Sequence, residues 1–317
     1  MPLHPKLEEF LRDVKRSNNK PFEQMSLEEM RQATKNFKVF QGESEEIYKT
    51  FKRNVKNEDH EYTIKIYQPS KETSLPVVLF FHSGGFVKGD VEYSEAFCRK
   101  LSNGSNCIVV SVNYRLAPEH PFPASIEDSY HALQWIHQHA GEFGGDPNKI
   151  VVAGESSGGN LAAALAIMSH SKKGPPICFQ VLIYPQLDYT FSFPSHKLFG
   201  KEYFLTEEAL LFYAKQYLPE NVDRKDQYVS PYFTKHYKHL PSAYIITAEY
   251  DPLRDEGEAF AQNLKKAGVD VIHHRFPGMI HGFVSMVTIV EEARQAIQMV
   301  CDTLHSVFKK GGGRKIA

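Results

Sequence analysis

A chain of 317 residues with 42% hydrophobic and 24% charged residues is long enough to bury one large core, arranged as one or two domains. Its 37 Lys and Arg stand against 38 Asp and Glu, so no net field gathers nucleic acid or an anionic membrane surface, and small molecules are the expected partners. No stretch approaches the ~18 consecutive apolar residues of a membrane span, and the amino terminus lacks the apolar core of a signal peptide, which makes the cytoplasm the default compartment.

Residues 3–16 and 26–36 carry apolar side chains at helical spacing, the second segment opened by Ser26 with Glu29 three positions later as a capping box. From Ile47 the texture changes to two alternating segments, "IYKTFKRNV" and "YTIKIYQP", separated by a polar turn, which predicts an antiparallel hairpin. "LPVVLFF" and "NCIVVSV" are short continuous apolar runs, as expected of strands buried on both faces of a parallel sheet. Similar runs recur at 150–153, 179–184, 243–248 and 269–276. Helical patterns at 93–101, 126–140, 157–168, 256–266 and 290–308 fall between or after them. This alternation predicts an α/β fold with a mostly parallel central sheet and helices on both faces. The rhythm breaks at about 187–240, a Phe- and Tyr-rich insertion without a buried-strand run, expected to form helices and loops over the sheet. Together with residues 1–45 it is the candidate helical cap; 46–310 would form the main domain, and the Gly-rich basic ending 311–317 a disordered tail. Cys98, Cys107, Cys178 and Cys301 have no zinc or redox spacing and read as reduced core thiols.

The chemistry starts at "VVAGESSGGNLAAALA", where a strand ends, a helix former begins, and Ser156 stands between Gly154 and Gly158. Strand, G-x-S-x-G turn and helix make a nucleophile elbow, in which the glycines permit backbone approaches that a Cβ would block. A serine nucleophile needs a base, and this architecture supplies an acid and then a histidine further along the chain. Asp251 begins where the strand "SAYIITAEY" ends, with Glu249, Asp255 and Glu256 as local competitors; Asp255 has an N-cap role open to it, and Glu256 would favour the first turn of the same helix. Among 15 histidines, His281 occupies the loop after the strand that follows the acid, whereas His273 and His274 lie inside that strand run and His236 and His239 inside the insertion. N–H donors for an oxyanion are expected from Gly84 and Gly85, after another apolar strand, and from Ser157 behind the nucleophile. His82 is expected to position that loop, and Arg115 and Glu119 to hold the neighbouring proline-bearing loop near it.

Five ordered segments carry a resemblance: His82 to Phe86, "YRLAPEHPFPA" at 114–124, "GESSGG" at 154–159, "DPLRDEG" at 251–257 and "HGF" at 281–283. Over residues 60–290 the chain resembles the hormone-sensitive lipase family of α/β-hydrolases. The resemblance implies an α/β-hydrolase fold with a helical cap from the N terminus and the insertion, a Ser156, Asp251, His281 triad, and an oxyanion hole from Gly84, Gly85 and Ser157. It further implies a serine carboxylesterase acting on small-molecule esters of short to medium acyl chain; no cofactor and no metal are expected, and the compartment expected is the cytoplasm. Two departures bear on substrate preference. Ser83 stands where the family's first loop glycine is usual, and Glu155 and Ser157 flank the nucleophile where Asp and Ala are more common. The alternatives are an amidase, deacetylase or dehydratase on the same scaffold, or a ligand-binding relative without turnover; the presence of His281 speaks against the last. Oligomeric state, with a homodimer among the options, is not set by these features.

Overall fold

In the computed structural model, residues 1–17, 20, 24–57 and 59–309 are described; the tail at 311–317 lies outside the described residues. Strands β1 (Lys49–Lys56) and β2 (Glu61–Gln68) form the expected antiparallel hairpin, and β2 pairs antiparallel with β4 (Ile108–Val112). Every other pairing is parallel, through β3 (Leu75–Phe81), β5 (Gly145–Glu155), β6 (Phe179–Ile183), β7 (Ser242–Tyr250) and β8 (Val271–Ile280), in the order β1-β2-β4-β3-β5-β6-β7-β8.

The continuous apolar runs have a direct cause. In β3, Val77, Leu79 and Phe81 enter one core while Val78 and Phe80 enter the other; Ile150 and Val152 of β5 alternate with Val151 and Ala153 in the same way. Because successive side chains point to opposite faces, a strand covered on both sides must be apolar at every position. Helices α4 (Ala124–His139), α5 (Ser157–Lys172) and α8 (Arg254–Lys266) cover the first face, and α3 (Glu95–Ser105) and α9 (Glu291–Lys309) the second. After β3 the chain passes through α3 to β4, then crosses the sheet and returns through α4 to place β5 on the other side of β3. The loops leaving β3 and β5 therefore diverge, and the crevice between them is where open α/β sheets hold ligands.

Helix α1 (Pro5–Ser17) buries Leu7 and Phe10 against the second face, and α2 (Leu27–Asn36) opens on the Ser26/Glu29 capping box. Arg31 of α2 makes a bidentate pair with Glu119 at 2.7 Å and donates to the carbonyls of Val87 and Ala117, tying this helix to the loops after β3 and β4. The insertion contains α6 (Pro194–Phe199), α7 (Glu207–Tyr217) and short 3-10 turns, and no strand. Its Phe204 ring meets those of Phe10 and Phe37 at 5.7 and 5.3 Å, so the N-terminal segment and the insertion touch. The four cysteines are free; Cys178, expected in the core, is exposed, standing one residue before β6 begins. Among the described residues no helix is long and apolar enough to cross a membrane.

The turn between β5 and α5 leaves no room for side chains at its glycines. A Cβ at Gly154 would stand 2.2 Å from the Gly158 carbonyl oxygen, and one at Gly158 would stand 2.1 Å from that of Phe81. Gly158→Ala is expected to lower stability by about 3 kcal/mol or more. Gly141→Ala, with nothing within 4 Å of the added methyl, should stay within about 0.5 kcal/mol. Urea unfolding of the two variants tests the contrast.

Candidate active site

Ser156 stands at the apex of that turn with φ 55° and ψ −116°, a conformation costly for a residue with a side chain. The surroundings hold it there. Its N–H donates to the Ile183 carbonyl at 2.9 Å, and its own carbonyl accepts from Asn160 at 3.0 Å and Gln186 at 3.2 Å. Asn160 adds a brace from the first turns of α5, its side-chain amide donating to the carbonyls of Gln186 and Val229 at 2.8 Å each.

Asp251 follows β7 and His281 follows β8, so two neighbouring strands deliver both to the sheet edge where β5 ends. His281 Nδ1 lies 2.7 Å from Asp251 Oδ2, and its Nε2 lies 2.9 Å from Ser156 Oγ. The fully buried Asp251 uses its other oxygen to accept the Leu253 N–H at 2.8 Å. A carboxylate at Nδ1 favours the tautomer with a proton on that nitrogen, leaving the Nε2 lone pair toward the serine hydroxyl. The three residues singled out in the sequence thus form one hydrogen-bonded row.

The competing acids are engaged elsewhere. Glu249 accepts from the amino terminus at 2.8 Å and from the Gly278 N–H at 2.7 Å. Asp255 is not the N-cap of its helix: α8 already begins at Arg254, and the Asp255 carboxylate pairs with Arg254 and accepts the Ser195 N–H at 2.9 Å. Glu256 sits in the first turn as expected, yet its side chain turns inward to His196 Nε2 at 2.7 Å and to the Leu187 N–H.

At the end of β3, Gly84 and Gly85 take φ values of 134° and 64°, which their lack of a Cβ permits. Among the described residues the N–H groups of Gly84 and Ser157 have no hydrogen-bond partner. The Gly85 N–H, by contrast, donates to the Ser157 hydroxyl at 3.0 Å. His82 stacks on Tyr114 with ring centroids 4.2 Å apart, and the Tyr114 hydroxyl donates to the His82 carbonyl at 2.8 Å. Burial pushes the His82 imidazole down to about 4, so it stays neutral and serves this loop as a packing and hydrogen-bonding group. Arg115 and Glu119 hold the adjacent loop through separate partners. Arg115 grips Asp128 of α4 at 2.9–3.1 Å, and Glu119 binds Arg31. Nothing in the sequence marks Asp128 as that partner; it is one of two adjacent acids in α4, and Glu127 also pairs with Arg115, at 3.6 Å.

In the sequence Glu155 stands out only as a departure from the motif. The structure turns its carboxyl into the core beside the site, within 3.4 Å of the Ser285 hydroxyl just past His281. Burial raises its pKa from 4.5 to about 7, opposed by the Ser285 contact and by His281. The folded state therefore holds this proton more tightly than the unfolded chain. Its contribution to stability is full below about pH 4.5 and is lost as pH rises through about 7. Glu155→Gln cannot ionise, so its melting temperature relative to the parent should climb by several degrees between about pH 5 and pH 8. An offset that stays constant across that range would contradict this assignment.

The alpha/beta hydrolase fold family matches residues 78–285, a span that starts in β3 and ends just past His281. An arylesterase of Saccharolobus solfataricus is 34% identical over 310 residues, covering 98% of this chain and 100% of its own. A carboxylesterase of Mycobacterium tuberculosis is 39% identical over 238 residues, 74% of each chain. Among solved structures, an esterase of Pyrobaculum calidifontis superposes with a TM-score of 0.89 at 37% identity, covering 96% of this chain and 99% of that one. With fold, motif order and similarity running the length of the chain, this protein belongs to the alpha/beta hydrolase fold family, in the hormone-sensitive lipase type that its motifs resemble.

Proposed function

We propose that this chain, a carboxylesterase, hydrolyses short- to medium-chain acyl esters through Ser156, His281 and Asp251. The observation that carries the reading is the imidazole of His281 standing between the Ser156 hydroxyl and the Asp251 carboxylate, at 2.9 and 2.7 Å.

In this mechanism Ser156 Oγ attacks the ester carbonyl carbon while its proton passes to His281 Nε2. Asp251 holds the imidazole in orientation and stabilises the imidazolium. The carbonyl oxygen, now negative, takes N–H bonds from Gly84, Gly85 and Ser157 at the positive end of α5. Collapse expels the alcohol, which receives the proton from Nε2, and leaves an acyl group on Ser156. Water then attacks the acyl carbon, gives its proton to Nε2, and releases the acid as Ser156 recovers its own.

Low exposure of Ser156 and His281, 8% and 7%, fits chemistry sheltered from bulk water. We assign that shelter to residues 1–45 and the insertion 187–240, acting as a cap on a main domain of residues 46–310. The α7 tyrosines support this. Tyr217 stacks on Phe86 with centroids 3.8 Å apart, and the Tyr213 ring covers Gly85. An aromatic ceiling beside the oxyanion loop suits apolar acyl groups.

Asp251→Asn should lower kcat by about 10⁴, because an amide favours the wrong imidazole tautomer. Asp255→Ala, whose partners lie in α8 and α6, should leave kcat within a few-fold. Steady-state kinetics on a simple acyl ester would show the ranking, and its reversal would unseat Asp251.

A phosphonate ester should label Ser156 alone, since the adduct mimics the tetrahedral intermediate. Ser157 and Ser83 should stay unmodified, and Ser156→Ala should abolish labelling while the fold persists. Intact mass followed by peptide mapping reads this out; an unlabelled, folded parent that turns over no ester would refute the triad.

A further inference from the structure

One of the three N–H groups assigned to the oxyanion already has an acceptor inside the protein. Gly85 donates at 3.0 Å to the Ser157 hydroxyl, a contact between residues 72 positions apart that joins the oxyanion loop to the first residue of α5. Ser157 is fully buried, so water does not compete for this hydroxyl. Gly85 cannot move away from that acceptor freely: the Tyr213 ring sits where a Cβ would be, and the stacked Phe86 and Tyr217 rings hold the next residue.

We propose that the Ser157 side chain is a built-in competitor for the oxyanion hole. In the resting enzyme it satisfies the Gly85 N–H, and formation of the tetrahedral intermediate requires that N–H to turn from a neutral hydroxyl to the oxyanion. This inference rests on the triad assigned above. A donor satisfied in the ground state contributes less to the rate than one left waiting, because only the difference between ground state and transition state lowers the barrier. The Ser157 N–H and the Gly84 N–H, without such a partner, act at full strength. Residue 157 thus supplies a backbone donor and, through its side chain, holds a second donor back.

The experiment replaces the hydroxyl while keeping the backbone N–H. Ser157→Ala removes the acceptor, and Ser157→Cys substitutes a weak acceptor of larger volume, so packing effects are separated from hydrogen bonding. Both should raise kcat by roughly three- to tenfold, the equivalent of one recovered neutral hydrogen bond, with KM little changed. The inhibition constant of a boronic acid, which forms a reversible tetrahedral adduct on the nucleophile, should fall by a similar factor in both variants. Melting temperatures close to the parent's would show that the fold is kept. If kcat is unchanged or lower in both variants while both remain folded, the Ser157 hydroxyl positions the loop and does not compete, and the proposal fails. A parent enzyme that forms no boronate adduct and turns over no ester would fail at the earlier step, the triad itself.

Discussion

Everything at the site depends on β3 lying directly beside β5. Their parallel register sets Phe81 opposite Gly154, so the two strands end together and release their loops into one crevice. The backbone of α5 then comes so close to the end of β3 that only a glycine fits at 158. That single close approach brings the loop with Gly84 and Gly85 alongside the nucleophile and its helix N terminus. A site built from two adjacent strand ends inherits the rigidity of the sheet, which is what donors aimed at a developing charge require.

The surrounding structure divides its acids by environment. Asp251 is buried but takes two hydrogen bonds, from His281 and from the Leu253 N–H, which suits a carboxylate held against an imidazole. Glu155, one residue before the nucleophile, has little to support a charge and is raised to about 7 by burial. Glu256 is raised to about 7 for the same first reason, with His196 and the Leu187 N–H opposing. Burial works against a charge on His196, yet the Glu256 contact outweighs it and raises that imidazole. The segment from Asp251 to Glu256 thereby does two jobs. It carries the acid assigned to the triad, and through Asp255 and Glu256 it anchors Ser195, His196 and Leu187, where the insertion leaves the sheet.

Much of this could be read in the sequence because it is written in local pattern. Continuous apolar runs announced strands covered on both faces, and their spacing with helical segments announced the parallel sheet. Ser26 and Glu29 form the capping box at the position that their separation of three residues requires. Ser156, Asp251 and His281 each lie at a strand end, so topology alone carries all three to one edge of the sheet. The insertion at 187–240 was legible as a break in rhythm. Local pattern misleads where α8 starts two residues earlier than its apolar spacing indicates, which takes Asp255 out of the capping position, and at Cys178, whose side chain is exposed although its pattern suits the core.

The amino-acid sequence by itself determined the architecture, the elbow and the strand-end residues, since burial period, glycine placement and chain order are properties of neighbours along the chain. Only the tertiary structure decided the partners of the remaining polar groups. Arg31 binds Glu119 across 88 positions, Arg115 grips Asp128 with the Glu127 carboxylate also within 3.6 Å, and the Gly85 N–H finds the Ser157 hydroxyl. The physical reason is the short range of hydrogen bonds: a partner is fixed by angstroms of approach between elements distant in sequence, and the same hydroxyl or carboxylate reads alike in the chain whether it ends in water, in a pair, or alone in the core.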